Sequence, residues 1–333
     1  MSDITQPGQK TLTSRPLNIW IVTDHKPGHL NQLKGLCERI AAHTNSAEQW
    51  ISTNNSQTSW LDCLLRQYHY PLDHPALESH QPPDIVIGAG HSTHKEVLAI
   101  KRHFRCFSAI LMKPSLPTTW FDATIIPEHD NPTPNSHTLI TKGVLNTITP
   151  LTNSSAIDAN KHRGLVLIGG ESKHYHWDTN DIVRQVMTLS KTHRDIQWTL
   201  SNSRRTDPDL LPRLEQQLPK NIHIIPHTET PNGWVKEQMA KAGQVWVTPD
   251  SVSMVYEAIT SGADVGLFNM TAKKNGRIVK GIQALVDKGV THTFSAHENS
   301  QKMPKSTELM WESERSAIWL LAQYSAFKKT NTG

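Results

Sequence analysis

Residues 244–268, QVWVTPDSVSMVYEAITSGADVGLF, contain a strand, a polar turn, a helix, a glycine turn and a second strand. The apolar run at 245–247 predicts the first strand, and Val252, Val255 and Ile259 recur with the period of a helix. Two strands joined through a helix form a βαβ unit with parallel strands. The stretch therefore predicts an α/β fold.

The polar turn of this unit is a candidate binding site. Asp250 or Ser251 is the natural N-cap of the helix. Backbone N–H groups at a helix start, together with the hydroxyls of Ser251 and Ser253, suit an anion such as a diphosphate. Glu257 is then placed to accept ribose hydroxyls. The alternative is an ordinary capping turn followed by a solvated glutamate, and this stretch alone does not decide between the two.

Chain length, net charge and cysteine spacing limit the classes of protein to which this chain can belong. A chain of 333 residues exceeds the usual size of one core, which predicts two domains. A net charge of +4 without a long basic run does not indicate nucleic acid and suits small anionic substrates. Cys37, Cys63 and Cys106 lack CxxC spacing, which indicates a reducing compartment without a disulfide framework. Residues 1–15 are polar and lack the apolar region of a signal segment, and no run reaches the roughly 18 apolar residues of a membrane span, so we expect a cytoplasmic protein.

Apolar runs alternate with helical patterns along the chain, as in a doubly wound parallel sheet. The runs outside the opening stretch predict strands at 19–22, 85–87, 109–112, 124–126, 165–168, 196–200 and 222–225. A polar segment without period, 144–162, predicts an interdomain linker. We expect two Rossmann-like domains at 1–150 and 151–310 whose sheets face a cleft, and a C-terminal helix at 311–333 that can pack across the hinge.

Most of these strands run directly into polar or glycine-containing segments. Because ligands bind at the carboxyl ends of parallel strands, we expect such segments to line the cleft. They are 24–29, 88–93, 113–115, 127–130, 169–172, 201–205 and 248–251.

Several common motifs are absent or incomplete. Gly88-Ala89-Gly90 lacks the third glycine of a dinucleotide fingerprint, and neither GxxxxGK[ST] nor GxSxG occurs. The DxD at 207–209 is better explained by a helix start, with Thr206 or Asp207 as N-cap and Pro208 at the first helical position. The 19 histidines form no recognised full ligand set, so we expect no metal site.

Two pairs of residues after strands are candidate ligands of a diphosphate. Gly169 and Gly170 lack Cβ atoms, so their backbone can approach a ligand closely. Arg204 and Arg205 can clamp a diphosphate, with Ser203 as a further donor. An ordinary tight turn and solvated surface arginines are the alternatives.

A general base is expected in the N-terminal loops. His29 and His91 have the residue type for this role, because imidazole titrates near neutral pH. Asp24, Glu128 and Asp130 compete for it.

Together these segments resemble the mitochondrial fission ELM family, whose bacterial members are described as glycosyltransferases with the two-domain GT-B fold. The resemblance covers most of residues 18–290. It rests on GHLNQ at 28–32, GAGHSTH at 88–94, LMKPSLPTTWFDATIIPEHD at 111–130, LIGGESKHYHW at 167–177, SRRT at 203–206 and VTPDSVSMVYEA at 247–258.

The resemblance implies a GT-B-like α/β fold with donor binding in the second half and acceptor binding in the first. The implied donor-binding residues are Gly169, Gly170, Ser172, Ser203, Arg204, Arg205, Asp250, Ser251, Ser253 and Glu257. On the acceptor side it implies Gly28, Asn31, Gln32, Lys113, His129 and Asp130, with catalysis by His91 or His29 and by Asp24 or Glu128. No metal or other cofactor is then needed, because a helix dipole and arginines can stabilise the leaving diphosphate.

The expected function is transfer of a sugar from a nucleotide-sugar to a cell-envelope glycan or lipid-linked acceptor, in the cytoplasm with peripheral contact at the inner membrane. Nucleotide-sugar 2-epimerases share the two-domain architecture and remain an alternative. A noncatalytic adaptor in membrane remodelling is a third hypothesis, which the family name suggests. An adaptor has no need for the polar cleft residues, which therefore favour an enzyme.

Overall fold

A computed structural model describes residues 15–53, 81–151, 160–300 and 309–331. The first domain has a six-stranded parallel sheet in the order β2-β1-β3-β4-β5-β6. Its strands are β1 (Leu17–Thr23), β2 (Ser46–Ser52), β3 (Ile85–Ala89), β4 (Phe107–Leu111), β5 (Ala123–Pro127) and β6 (Thr138–Thr141), and its helices are α1 (Pro27–His43) and α2 (His94–Phe104).

The second domain repeats this architecture with a parallel sheet in the order β12-β11-β10-β7-β8-β9. Its strands are β7 (Arg163–Leu167), β8 (Gln197–Ser201), β9 (Ile222–Ile224), β10 (Gln244–Val247), β11 (Asp264–Leu267) and β12 (His292–Thr293). Its helices are α3 (Thr179–Thr192), α4 (Leu210–Glu215), α5 (Trp234–Met239), α6 (Val252–Thr260), α7 (Arg277–Asp287) and α8 (Phe294–Ser300), and the last described helix is α9 (Glu312–Asn331). The predicted pair of doubly wound α/β domains is confirmed.

The central strands explain why the sequence patterns were clear. Every residue of β3, β4 and β5 is buried, so these strands appear in the sequence as continuous apolar runs rather than alternating ones. In the second domain the buried Trp246 packs against Phe268 and Phe294, with ring centroids 5.6 Å away in each case. Both sheets are therefore covered on two faces, and their polar loops are left at the strand ends.

Each sheet has one point where the strand order reverses. In the first sheet it lies between β1 and β3, and in the second between β7 and β10. Loops diverge to opposite faces at such a point and leave a crevice at the carboxyl ends of the strands. The loops after these four strands are the segments that begin at Asp24, Gly90, Ile168 and Thr248.

The helix α9 packs against the first domain. Ala317, Leu320 and Tyr324 are buried in the core that β1, β3, β4 and α1 form. Glu314 accepts hydrogen bonds from Arg39 and pairs with His43, both on α1. The chain thus passes from the first domain to the second and then returns.

Some elements were not predicted from sequence. The edge strands β2, β6 and β12 are partly exposed and lack a continuous apolar run. The helix after 207–209 begins at Leu210, later than its proline suggests, with Asp209 as N-cap. Cys37 and Cys106 are buried free thiols, whereas Cys63 and linker residues 152–159 lie outside the described part of the chain.

Candidate functional site

The loop after β7 is tied to the loop after β10 by backbone amides. Gly169 N donates to Thr248 Oγ1 over 2.7 Å, and Gly170 N donates to Asp250 Oδ2 over 3.1 Å. A Cβ on Gly169 would lie 2.3 Å from Asp250 Oδ1, and one on Gly170 would lie 1.9 Å from the carbonyl oxygen of Arg205. Both positions therefore require glycine for close packing within the protein, whether or not a ligand is bound.

Arg205 is anchored to the same carboxylate. Its Nη2 donates to Asp250 Oδ2 over 2.7 Å and its Nη1 donates to the carbonyl oxygen of Glu171 over 3.0 Å. The Asp250 side chain is completely buried, and its Oδ1 has no hydrogen-bond partner among the described residues. Arg205 supplies the cation that makes this buried charge tolerable. The neighbouring Arg204 is exposed, so its guanidinium is accessible to a ligand.

The start of α6 offers unused donors. Ser251 is the N-cap, with an extended backbone, and its side chain makes no capping hydrogen bond. No acidic residue occupies the first turn, where the half-buried Ser253 lies. The first amides of a helix need a partner, and an anion is the partner that the helix dipole favours.

Two of the expected donor-site serines have local partners. Ser172 Oγ accepts hydrogen bonds from the amides of His174 and Tyr175, and Ser203 Oγ accepts one from the amide of Arg205. They shape the turns that present the loop backbone. Thr206, which was not among the expected donor-binding residues, links the two loops by donating to the carbonyl oxygens of Ile168 and Gly169.

At the reversal point of the first sheet, Asp24 orients His29. Asp24 Oδ1 lies 2.9 Å from His29 Nδ1, and its Oδ2 accepts from Ser92 Oγ and Lys26 Nζ. Burial raises the pKa of a carboxyl, but the hydrogen bonds outweigh burial and hold the pKa of Asp24 well below its ordinary value. Asp24 is therefore ionised at neutral pH and fixes a proton on His29 Nδ1.

The ring of His29 is held against Gly90. A Cβ on Gly90, which has φ +83°, would lie 2.4 Å from His29 Cε1. His29 Nε2 has no hydrogen-bond partner in the described part of the chain, and 17% of the side chain is exposed. This nitrogen is consequently the one available to accept a proton. His91, by contrast, is exposed on the next turn and is not hydrogen bonded to Asp24.

A hydrogen bond between Asn31 and Glu257 joins the two domains at the cleft. Asn31 Nδ2, on α1, donates to Glu257 Oε1, on α6, over 2.7 Å. It brings α1, which carries His29, beside α6, whose N-cap is Ser251. Gln32, which is buried, donates to the carbonyl oxygen of Gly28 and so stabilises α1 internally.

Burial raises the pKa of Glu257 to about 7, and the hydrogen bond from Asn31 acts in the opposite direction. The folded protein therefore binds a proton at Glu257 more tightly than the unfolded chain does, so stability should fall as pH rises from about 4.5 to about 7. We expect wild type to lose stability relative to Glu257→Gln over this window, with a constant difference above it. Urea unfolding at pH 5, 6, 7 and 8 measures the difference, and a gap that does not widen with pH would contradict it.

Four of the expected residues lie together at a different contact between the domains. Asp130 pairs with Arg277 and Glu128 with Lys288, both of the latter on or next to α7. His129 stacks on Tyr256 of α6, and Lys113 Nζ donates to the carbonyl oxygens of Asp130 and Asn131. Glu128 thus has a cationic partner across the cleft, away from the Asp24–His29 pair.

The part of the chain that the structure describes has neither a metal-binding cluster nor a membrane-spanning helix. No group of three or more His, Cys, Asp and Glu side chains among the described residues is arranged to hold a metal ion. Among the same residues, no helix combines the length and apolarity that crossing a bilayer requires.

Comparisons with known proteins agree with this architecture. A family model described as mitochondrial fission ELM1 matches residues 27–324. A protein of Rickettsia prowazekii (strain Madrid E), described as uncharacterized, is 25% identical over 335 residues, with 84% of this chain and 91% of that protein covered.

The solved structures that resemble this chain include MurG and a UDP-GlcNAc 2-epimerase. MurG of Acinetobacter baumannii has a TM-score of 0.50 at 12% identity, with 94% of this chain and 100% of that one covered. The UDP-GlcNAc 2-epimerase of Neisseria meningitidis, solved with UDP-GlcNAc, has a TM-score of 0.50 at 13% identity, with 92% and 100% covered. At such low identity these likenesses show the fold, which is of the GT-B type.

Proposed function

Since the chain belongs to the mitochondrial fission ELM1 family and has a GT-B fold, we propose that it is a glycosyltransferase. It would move a sugar from a nucleotide-sugar to a cell-envelope glycan or lipid-linked acceptor, without a metal. Such work would place it in the cytoplasm, with peripheral contact at the inner membrane and no nucleic-acid partner.

The observation that carries this proposal is the Asp24–His29 pair at the reversal point of the first sheet. Asp24 accepts a hydrogen bond from the protonated Nδ1 of His29. The lone pair of the ring is then on Nε2, which can act as a base. In the reaction an acceptor hydroxyl attacks the anomeric carbon, and the bond from that carbon to the diphosphate oxygen breaks with its electron pair on the diphosphate. Nε2 takes the hydroxyl proton, and ionised Asp24 stabilises the imidazolium that forms.

The second domain would bind the donor. The diphosphate would meet the uncapped amides of α6, the Ser253 hydroxyl and the exposed Arg204. The helix dipole and the arginine would stabilise the charge that develops on the leaving group. Glu257, which accepts a hydrogen bond from Asn31 in the free protein, would exchange that bond for ribose hydroxyls.

A 2-epimerase is the second candidate, and one observation favours it. The Glu257 carboxyl, with a pKa of about 7, could exchange a proton with substrate near neutral pH. Incubation of the protein with UDP-GlcNAc and no acceptor separates the candidates, because only an epimerase converts the sugar at C2. No contact in the described part of the cleft favours the adaptor hypothesis.

A thermal-shift screen against UDP, GDP, CMP and ADP tests the proposal. A nucleotide at 100 times its dissociation constant stabilises the fold by about 2.7 kcal/mol. We expect one nucleotide to stabilise the protein selectively, and its sugar conjugates then become donors in an acceptor search. A flat response to all four would remove the donor site from the proposal.

Glu257→Ala should weaken a nucleoside diphosphate more than inorganic diphosphate, because only the former has ribose hydroxyls. We expect a loss of roughly tenfold for the nucleotide, the equivalent of a hydrogen bond to a charged group. Isothermal titration calorimetry with both ligands measures it. Glu38→Gln is the matched control, since Glu38 also bridges the domains, through Lys236, and lies away from the α6 turn. Equal losses for both ligands would contradict the ribose assignment.

A further inference from the structure

A cavity between the domains lies apart from the Asp24–His29 pair. Its volume is about 540 Å³, and it is enclosed by the turn Glu128–Asp130 of the first domain and by α7 of the second. A cavity of this size accommodates a small molecule or one segment of a larger one.

The sequence of α7 explains why the space is open. Arg277, Gly281, Ala284 and Lys288 line the cavity at spacings of four, three and four residues, so they occupy one face of the helix. The two small residues are in the middle of that face. A Cβ on Gly281 would meet only His129 Cβ, at 3.9 Å. Glycine is less favourable than alanine inside a helix, and at this position it leaves the middle of the cavity wall without a side chain.

The charged side chains around the cavity have a net positive charge. Arg277 is neutralised by Asp130 and Lys288 by Glu128. Lys280 also lines the cavity, is exposed, and has no ion-pair partner among the described residues. Lys113 adds a further ammonium behind the wall, where it donates only to carbonyl oxygens. Burial lowers the pKa of His129, which is therefore neutral at pH 7 and adds no charge. The field in the cavity consequently favours an anion.

The remaining wall is apolar. Tyr256, Ala284 and Leu285 face the same space, and the Tyr256 ring stacks on His129 with centroids 6.4 Å apart. A hydrocarbon group that covers this wall would bind favourably, because it removes apolar surface from water. A simple inorganic anion would leave this apolar wall exposed to water.

A narrow crevice connects this cavity with the donor turn. It is lined by His129, Tyr256 and Arg277, which also line the large cavity, and by Val252, the first residue of α6. The cavity is therefore adjacent to the helix start where the diphosphate would bind.

We propose that this cavity, lined by Glu128, His129, Tyr256, Arg277, Lys280, Gly281, Ala284, Leu285 and Lys288, binds an amphipathic anion. The ligand carries a phosphate or carboxylate beside Lys280 and an apolar group against Tyr256 and Leu285. The assignment of this binding site depends only on the residues that line the cavity. As the subsite that selects the acceptor, it rests on the proposed function.

Calorimetry with n-octyl phosphate, octanol and inorganic phosphate tests the site. Wild type is expected to bind octyl phosphate at least ten times more tightly than either of the other two. Lys280→Ala should weaken octyl phosphate about tenfold, the loss typical of a charge-assisted hydrogen bond. Gly281→Leu should abolish binding by filling the cavity. Lys274→Ala, which removes an exposed lysine outside the cavity lining, is the matched control and should bind like wild type.

Equal affinity for octyl phosphate and inorganic phosphate would overturn the inference, as would unaltered binding by Gly281→Leu. Each variant is also titrated with the nucleotide found in the thermal-shift screen, and circular dichroism confirms its folding. Nucleotide binding without octyl phosphate binding refutes the cavity assignment alone. Octyl phosphate binding without nucleotide binding refutes the proposed function and leaves the amphipathic-anion site in place.

Discussion

His29→Ala is expected to lower the rate constant for sugar transfer by about 10²- to 10⁴-fold, the usual contribution of a positioned general base. The loss should fall on kcat, because His29 lies in the first domain and the nucleotide would bind to the second. Nucleotide affinity should stay within about twofold, since no charge-assisted contact to the nucleotide is removed. Steady-state kinetics and calorimetry measure the two quantities on the same protein.

The matched control is His91→Ala, which removes a second histidine from the neighbouring loop. His91 is exposed and makes no hydrogen bond to Asp24, so we expect nearly unchanged kcat. Asp24→Asn should reproduce most of the His29→Ala loss, because the amide can donate to Nδ1 and favour the tautomer with its proton on Nε2. If His91→Ala were as damaging as His29→Ala, the assignment of the base would be wrong.

Gly170→Ala is expected to eliminate detectable nucleotide binding and to lower the free energy of unfolding by about 1–3 kcal/mol, as overpacking does. The added Cβ would lie 1.9 Å from the Arg205 carbonyl oxygen and 2.7 Å from the Thr206 amide nitrogen. Both are backbone atoms, which cannot rotate away as a flexible side chain would. The loop must shift, and with it the hydrogen bond from the Gly170 amide to Asp250.

Gly276→Ala provides the comparison for Gly170→Ala. A Cβ at Gly276 meets no atom within 4 Å, and its φ of −82° is ordinary for alanine. This variant should bind nucleotide normally and unfold within about 1 kcal/mol of wild type, the usual range for a cap substitution. Urea unfolding and calorimetry apply to both variants. Normal nucleotide binding by Gly170→Ala would show that this loop does not form the donor site.

The apolar patterns were sufficient to predict the two sheets, because their central strands are buried on both faces. Edge strands such as β12 were missed, since half-exposed residues carry little periodic signal. Loop positions at the strand ends followed from the parallel topology, so the residues of both crevices could be expected before any contact was known.

Contacts between distant residues could not be predicted in the same way. Arg205 was expected to face a ligand, yet its guanidinium binds Asp250, 45 residues later in the chain. Asp24 and His29 were considered as competing bases, whereas the structure makes one the partner of the other. The backbone at His25, with φ +60°, turns the chain so that the two side chains meet, and the sequence gives no periodic signal for such a turn.

Because α9 packs against the first domain, the two domains complete their folding in a definite order during translation. Ala317, Leu320 and Tyr324 belong to the core of the first domain but leave the ribosome after the whole second domain. The second domain, β7 to α8, is continuous in sequence and can fold as soon as it emerges. The first domain must wait with part of its apolar surface uncovered, so during translation this domain, although it begins first, is the one exposed to chaperones and proteases.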